Sequence, residues 1–258
     1  MIARFPRSIV VLAFLALLAL PAMAQGMTLE QALQRHYAAR GGLEKMDAVQ
    51  SLHMAGKLAL PQGMEAPLET WWKAPNLFRV EFSFQGMKAV QVFDGREGWS
   101  LMPFMGKTEP EPMPAEQVEK AKAQADWKGI LVHADTRGAR LEWKGKAEVD
   151  GSPAWRIDVV GRDGTRVEVY LDGETFLERR EVRHVERGGQ TLEVHADYAD
   201  YREVGGLVFP FTMRTSVAGM PGGQSITIEK VEVDPDLPAS LFGKPQPAAK
   251  PAAPAPGR

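Results

Sequence analysis

The chain of 258 residues carries 31 basic and 33 acidic side chains, a formal net charge of −2, and no cysteine. Without cysteine it forms no disulfide, offers no thiol nucleophile and cannot be a lipoprotein acylated on cysteine. The near balance of charge, with no dense run of lysine and arginine, argues against nucleic acid as a partner.

The first 24 residues predict a cleaved signal peptide. Arg4 and Arg7 form a basic start, residues 9–20 are apolar but too short to span a bilayer comfortably, and Ala22-Met23-Ala24 is an A-x-A cleavage site. Cleavage would leave 29 basic against 33 acidic residues, a net charge of −4. We therefore expect a soluble, exported protein beginning at Gln25; an uncleaved membrane anchor is the alternative.

Two helices are predicted next. Thr28-x-x-Gln31 is a capping box, and the apolar residues Leu29, Leu33 and Tyr37 recur at helical spacing. Gly41-Gly42 ends this helix, and a short helix is expected over residues 43–49. Leu52 to Leu60 then alternates apolar and polar residues, as a first strand does.

The most apolar strand pattern lies within residues 68–104. Phe78, Val80, Phe82 and Phe84 alternate with polar residues, so a strand here has one wholly apolar face. After Gly86, the alternation resumes with Val90 and Val92 and, beyond an Asp-Gly turn, with Trp99 and Leu101. We expect an antiparallel meander whose apolar face is either packed core or the wall of a binding site.

A segment of different composition, residues 109–127, lies between this meander and the rest of the chain. Residues 109–114 are rich in proline and are expected to be extended. Ala115 to Trp127 is expected to be a helix with Val118, Ala121, Ala125 and Trp127 on one side. This helix either plugs a sheet edge or covers the sheet face.

From Leu141 onward, strand patterns follow one another, separated by Asp-Gly and Gly-Gly turns. About eleven or twelve strands with no βαβ spacing predict an antiparallel sheet, and so many one-sided strands must curl. The fold class is therefore mainly β with α. Residues 25–243 are expected to form one domain, and the Pro/Ala-rich residues 244–258 a disordered tail.

The sequence contains no recognised catalytic motif. His133 and Asp135, and likewise His195 and Asp197, share an H-A-D spacing that could begin a metal site, but such pairs are common on exposed strands. We expect no catalytic residue, cofactor or metal, and hence not an enzyme. A hydrolase without a recognisable motif is the alternative.

Three strings in the central stretch resemble the lipoprotein carriers LolA and LolB, which sort lipoproteins to the bacterial outer membrane. These strings are WWKAPNLF, FDGREGW and LMPF. The matching positions are Trp71, Lys73, Pro75 and Phe78, then Asp94, Gly95 and Trp99, then Pro103 and Phe104. A weaker resemblance extends over the mature chain, through Gly41-Gly42, Gly205-Gly206, Pro210 and Leu241-Phe242.

The resemblance implies a curved half-barrel of about eleven strands, with an N-terminal helix and a lid helix over the concave face. It implies a periplasmic, monomeric carrier that holds lipid or lipoprotein acyl chains. The partners would be those lipids or lipoproteins, an inner-membrane lipoprotein-releasing complex and an outer-membrane acceptor. The acyl-binding residues would be Trp72, Phe78, Val80, Phe82, Phe84, Val90, Val92, Trp99, Leu101, Phe104, Val118 and Trp127.

One position departs from the carrier pattern. Between the motif lysine and proline, the family has an arginine that latches the lid by hydrogen bonds, and here that position is Ala74, which cannot donate. The resemblance therefore supports the fold and the cavity more strongly than it supports the transfer of lipoproteins. An envelope signalling or scaffold module, using the same fold to sense or dock a protein, is the alternative function.

Overall fold

The computed structural model describes residues 26–60 and 63–248. The predicted signal peptide and residues 249–258 of the predicted tail lie outside this range. Helices α1 (Leu29–Ala39) and α2 (Leu43–Ala48) come first, and α3 (Ala115–Gln124) lies within the chain of strands. The strands are β1 (Ser51–Leu60), β2 (Met64–Lys73), β3 (Leu77–Phe84), β4 (Met87–Phe93), β5 (Gly98–Met102), β6 (Lys107–Pro112), β7 (Arg140–Val149), β8 (Ser152–Val160), β9 (Arg166–Asp172), β10 (Glu178–Arg187), β11 (Gln190–Val204), β12 (Leu207–Val217) and β13 (Gln224–Val233).

All of these strands belong to one antiparallel sheet, curved into an open half-barrel. Its order is β6-β5-β4-β3-β2-β1-β13-β12-β11-β10-β9-β8-β7, so that β6 and β7 are the two edges. The pairing of β1 with β13 brings the two ends of the domain together at the centre of the sheet. The predicted fold class is confirmed.

The sheet has thirteen strands where the sequence predicted eleven or twelve. The motif WWKAPNLF spans two strands, because β2 ends at Lys73 and a turn over residues 74–76 precedes β3. The proline-rich segment contributes β6, which pairs only with β5. Proline lacks the amide donor that a central strand needs, and an edge position tolerates it.

Helix α1 forms where the sequence predicts it. Both bonds of the capping box are present: the Gln31 amide donates to Thr28 Oγ1 at 3.2 Å, and the Thr28 amide donates to Gln31 Oε1 at 3.0 Å. Leu29 and Leu33 pack against the apolar cluster of β8 and β9, which contains Ile157. The helix thereby covers the part of the inner face nearest the β7 edge.

The glycine pairs Gly41-Gly42 and Gly205-Gly206 meet at the end of α1. The Val208 amide donates to the Arg40 carbonyl oxygen at 3.1 Å, which fixes the helix end on the turn between β11 and β12. Gly41 has a φ of +103°, and a Cβ placed there would lie 2.3 Å from the carbonyl oxygen of Gly206. Only glycine permits this close approach.

We expect Gly41→Ala to lower the free energy of unfolding by more than Gly42→Ala does. Both glycines have a positive φ near 100°, so both substitutions incur backbone strain of about 1–3 kcal/mol. Only Gly41→Ala adds a backbone clash, because no atom lies within 4 Å of a Cβ at Gly42. Urea denaturation of both variants measures the difference. Equal losses would show that α1 does not depend on this contact.

The C-terminal segment covers the outer face of β3, β4 and β5. Leu237 and Phe242 pack on Val92, and Arg79 Nη1 donates to the Leu241 carbonyl at 2.9 Å. The segment continues to residue 248, where the Ala248 amide donates to the Thr108 carbonyl at 2.9 Å. Contacts with the sheet therefore extend five residues past the predicted domain boundary at residue 243.

Candidate functional site

The inner face of the half-barrel holds a cavity of about 420 Å³. This volume lies within the range of small-ligand pockets, about 300–1,000 Å³. The walls come from β1, β2, β3, β12 and β13 and are mostly apolar: Leu52, Met54, Trp72, Phe78, Val80, Phe209, Met213, Ile226 and Ile228. The opposite side is formed by the end of α3 and the following segment, through Ala123, Trp127 and Ile130.

Helix α3 covers the inner face, as predicted. Ala121 and the half-buried Val118 pack in the same apolar cluster as Trp72 and Phe78. The Trp72 indole Nε1 donates to the carbonyl oxygen of Ala125, the residue that ends α3. Ala74, whose side chain has no donor, lies in the turn after β2, and a hydrogen bond between the sheet and the end of this helix comes from Trp72.

The structure divides the predicted acyl-binding residues into three groups. Trp72, Phe78, Val80 and Trp127 line the cavity, with Val118 in the adjoining cluster. A second group lies further along the same face as an aromatic cluster outside the cavity: the Phe104 ring centroid is 5.7 Å from that of Phe82 and 6.0 Å from that of Phe84.

The third group lies on the opposite face, so the expectation of one continuous apolar face is wrong. Val90, Val92, Trp99 and Leu101 pair across β4 and β5 and face outward with Arg79 and Glu81. The reason is the two-residue turn Gln85-Gly86, whose φ values are 51° and 76°. It pairs Phe84 with Met87, so the inward residues change from even to odd numbers across the turn.

These outward residues adjoin a second cavity, of about 680 Å³, between the sheet and the C-terminal segment. Val90 and Leu101 line it together with Arg79, Glu81 and Lys88. Glu81 is paired there with Arg79 and with Lys88. Although this cavity is larger, fewer apolar side chains line it than line the inner cavity, so it fits an acyl chain less well.

Sequence reasoning missed a buried polar cluster at one end of the inner cavity. Arg40 and Glu178 are 4% and 6% exposed, with 3.9 Å between Nη1 and Oε2. Arg40 also donates from Nε to the Val208 carbonyl and from Nη1 to the Lys128 carbonyl, at 3.1 and 3.3 Å. Arg183 Nη2 contacts Glu181 Oε2 at 2.7 Å. Residues 179–187 carry charges on both faces, so their alternation does not reveal which charges point inward.

Burial shifts the pKa values in this cluster. Desolvation raises the pKa of the Glu178 carboxyl, and the Arg40 guanidinium opposes that shift. Desolvation, with the charge of Arg40, lowers the pKa of His36 to about 4. His36 Nδ1 donates to the Phe176 carbonyl at 2.9 Å, so the neutral ring carries its proton on Nδ1.

We expect His36 and Glu178 to make the free energy of unfolding depend on pH with opposite signs. The pKa of His36 is 6.5 in the unfolded chain and about 4 in the folded protein. As the pH decreases from 6.5 to 4, the unfolded chain therefore binds the proton before the folded protein does, and roughly 3 kcal/mol of stability is lost. The raised pKa of Glu178 means that the folded state keeps its proton longer, so stability is lost as the pH rises above 4.5.

Urea denaturation between pH 4 and 7 separates the two contributions. Relative to wild type, His36→Gln should become more stable as the pH falls from 6.5 to 4, and Glu178→Gln should become more stable as the pH rises above 4.5. Profiles of both variants that run parallel to the wild-type profile would show that neither group titrates differently on folding.

The histidines with H-A-D spacing lie apart and contact different carboxylates. His133 Nε2 contacts Asp47 Oδ1 at 2.9 Å, and His195 Nε2 contacts Glu193 Oε1 at 2.5 Å. Over residues 26–60 and 63–248, no three His, Cys, Asp or Glu side chains are grouped so as to hold a metal ion. None of the helices in these ranges has the length and apolarity needed to cross a membrane.

An open antiparallel half-barrel with a helix over an apolar inner cavity is a LolA-like fold. A LolA superfamily protein from Nitrosomonas europaea aligns with 85% of this chain and 99% of its own, at 16% identity and a TM-score of 0.53. A structure described as an outer membrane lipoprotein-sorting protein domain, from Vibrio parahaemolyticus, aligns with 83% of this chain and 96% of its own, at 12% identity and a TM-score of 0.57.

A DUF1329 family protein from Desulfovibrio piger gives the same values as the Vibrio structure: 12% identity, coverage of 83% and 96%, and a TM-score of 0.57. No family model and no curated protein matches the sequence. At these identities the similarity establishes the fold, and function has to be argued from the site.

Proposed function

We propose that this protein is a periplasmic carrier or binding protein that holds the acyl chains of lipids or lipid-modified proteins in its inner cavity. The observation that carries the proposal is the apolar cavity of about 420 Å³ between the sheet and α3. The cavity has the walls that a hydrocarbon chain needs, and the fold is shared with a structure described as a lipoprotein-sorting domain.

The binding energy available from such a chain is large. Burial of a twelve-carbon chain at about 0.8 kcal/mol per CH₂ contributes roughly 10 kcal/mol before ordering costs. That gain supports micromolar or tighter binding with no charged contact. The protein would act by non-covalent binding and release, without catalysis.

The proposed role of this binding is in the sorting of lipoproteins to the outer membrane. The protein would take its cargo from an inner-membrane lipoprotein-releasing complex and pass it to an outer-membrane acceptor. The bond from Trp72 Nε1 to the Ala125 carbonyl supports a closing role for α3, because it joins the cavity wall to the covering helix. Release of cargo would require that bond to break.

Native mass spectrometry of the protein purified from its own cell envelope tests this function. We expect an added mass of one or two acyl lipids, or of a lipid-modified protein, that organic solvent removes. A single stoichiometric protein partner with no lipid would overturn the carrier function and favour the signalling or scaffold alternative. Recovery from the cytoplasm with an intact Met1 would overturn the periplasmic location.

A further inference from the structure

The polar end of the inner cavity has the composition of a head-group site. Within the described residues, three buried side-chain polar atoms have no hydrogen-bond partner: His36 Nε2, Trp127 Nε1 and Glu178 Oε1. Trp127 and Glu178 both line the cavity. Buried polar groups are nearly always paired in folded proteins, so two such atoms on residues that line one cavity point to a ligand that pairs with them.

Trp127 and Glu178 lie on neighbouring parts of the site. The segment that follows Trp127 runs beside Glu178, since a Cβ at Gly129 would lie 3.3 Å from Glu178 Oε1. The indole nitrogen can only donate, and a carboxylate oxygen accepts. A ligand that pairs with both must therefore present both an acceptor and a donor.

The charges around this end favour a neutral ligand. Two arginines, Arg40 and Arg183, are matched by two carboxylates, Glu178 and Glu181. Arg40 already donates to two backbone carbonyls, and Arg183 is in contact with Glu181 at 2.7 Å. An anionic head would face both carboxylates and a cationic head both guanidinium groups, without a free counter-charge in either case.

We infer that the ligand is an acyl chain whose head is uncharged and carries both a hydrogen-bond donor and an acceptor, such as a hydroxyl beside an ester or a primary amide. The head would pair with Trp127 Nε1 and Glu178 Oε1, and the chain would lie along Trp72, Phe78 and Val80. This inference rests on the proposed function, because it assigns the head of the same acyl ligand.

Four ligands with the same twelve-carbon length test the inference by titration calorimetry. Monolauroylglycerol and lauramide have neutral heads, whereas laurate and dodecyltrimethylammonium are charged. We expect both neutral ligands to bind at least about tenfold more tightly than either charged ligand. Equal or tighter binding of laurate or of the cation would overturn the head-group inference and leave acyl binding intact. No binding of any of the four would overturn both.

Two variants test the assigned contacts. Trp127→Phe keeps the aromatic ring and removes the donor, and Glu178→Met keeps the approximate length and removes the acceptor. Each should weaken monolauroylglycerol binding about threefold to tenfold, the effect of one hydrogen bond. Binding of dodecane, which has no head, should change less than twofold. If Trp127→Phe, with an unchanged melting temperature, binds monolauroylglycerol as wild type does, the assignment is wrong.

Discussion

Arg40→Met is expected to lower the free energy of unfolding by about 3–5 kcal/mol, because it leaves a buried carboxylate without its counter-charge. Glu178 is 6% exposed, and the nearest cation in the site is the Arg40 guanidinium at 3.9 Å. The substitution also removes the donors that Val208 and Lys128 use for their carbonyl oxygens. A loss of this size is a large part of a typical domain's stability.

A double variant separates the charge from the packing. Arg40→Met with Glu178→Met should recover about 1–3 kcal/mol of the loss, since replacing both members of a buried ion pair by apolar groups is often tolerated. Recovery stays incomplete because the two carbonyls remain without their donor. Arg35→Met, an exposed arginine on α1 whose guanidinium lies 5.1 Å from the Phe176 ring, is the matched control and should cost about 1 kcal/mol or less. A double variant as unstable as the sum of the two single variants would rule out coupling between Arg40 and Glu178.

Val80→Glu is expected to abolish binding of a fluorescent fatty-acid probe while leaving the protein folded. Val80 lines the inner cavity and is only partly buried, so solvent can reach a carboxylate there in the empty protein. A bound chain would bury that charge, at a cost of several kcal/mol, which corresponds to about a hundredfold or more in affinity. The melting temperature should stay within a few degrees of wild type.

Ser83→Glu is the matched control for this variant. It makes the same change of charge on the same strand, but on the outer face and opposite Lys88 in β4. We expect it to bind the probe within twofold of wild type. If Val80→Glu does not fold, the apolar face of β3 at this position is packed core. If it folds and binds as before, the wall of the site lies elsewhere.

Local signals in the sequence determined the elements. The Thr28–Gln31 capping box and Gly41-Gly42 bound α1 because helix ends depend on a few neighbouring residues. Alternation at Phe78, Val80 and neighbouring positions identified β3, since side-chain direction along a strand follows sequence number. The change of face after β3 was also readable, because a two-residue turn at Gln85-Gly86 fixes the register of the next strand.

Only the tertiary structure decided the composition of the site. Pairing of β1 with β13 brings Phe209 and Met213 into the same cavity as Trp72, and such long-range pairing has no local signature in the sequence. The same is true of Arg40 and Glu178, which are far apart in the chain and meet only when α1 packs inside the curved sheet. The sequence thus determined that one face of β3 is apolar, and long-range packing alone decided that this face encloses a cavity with a charged end.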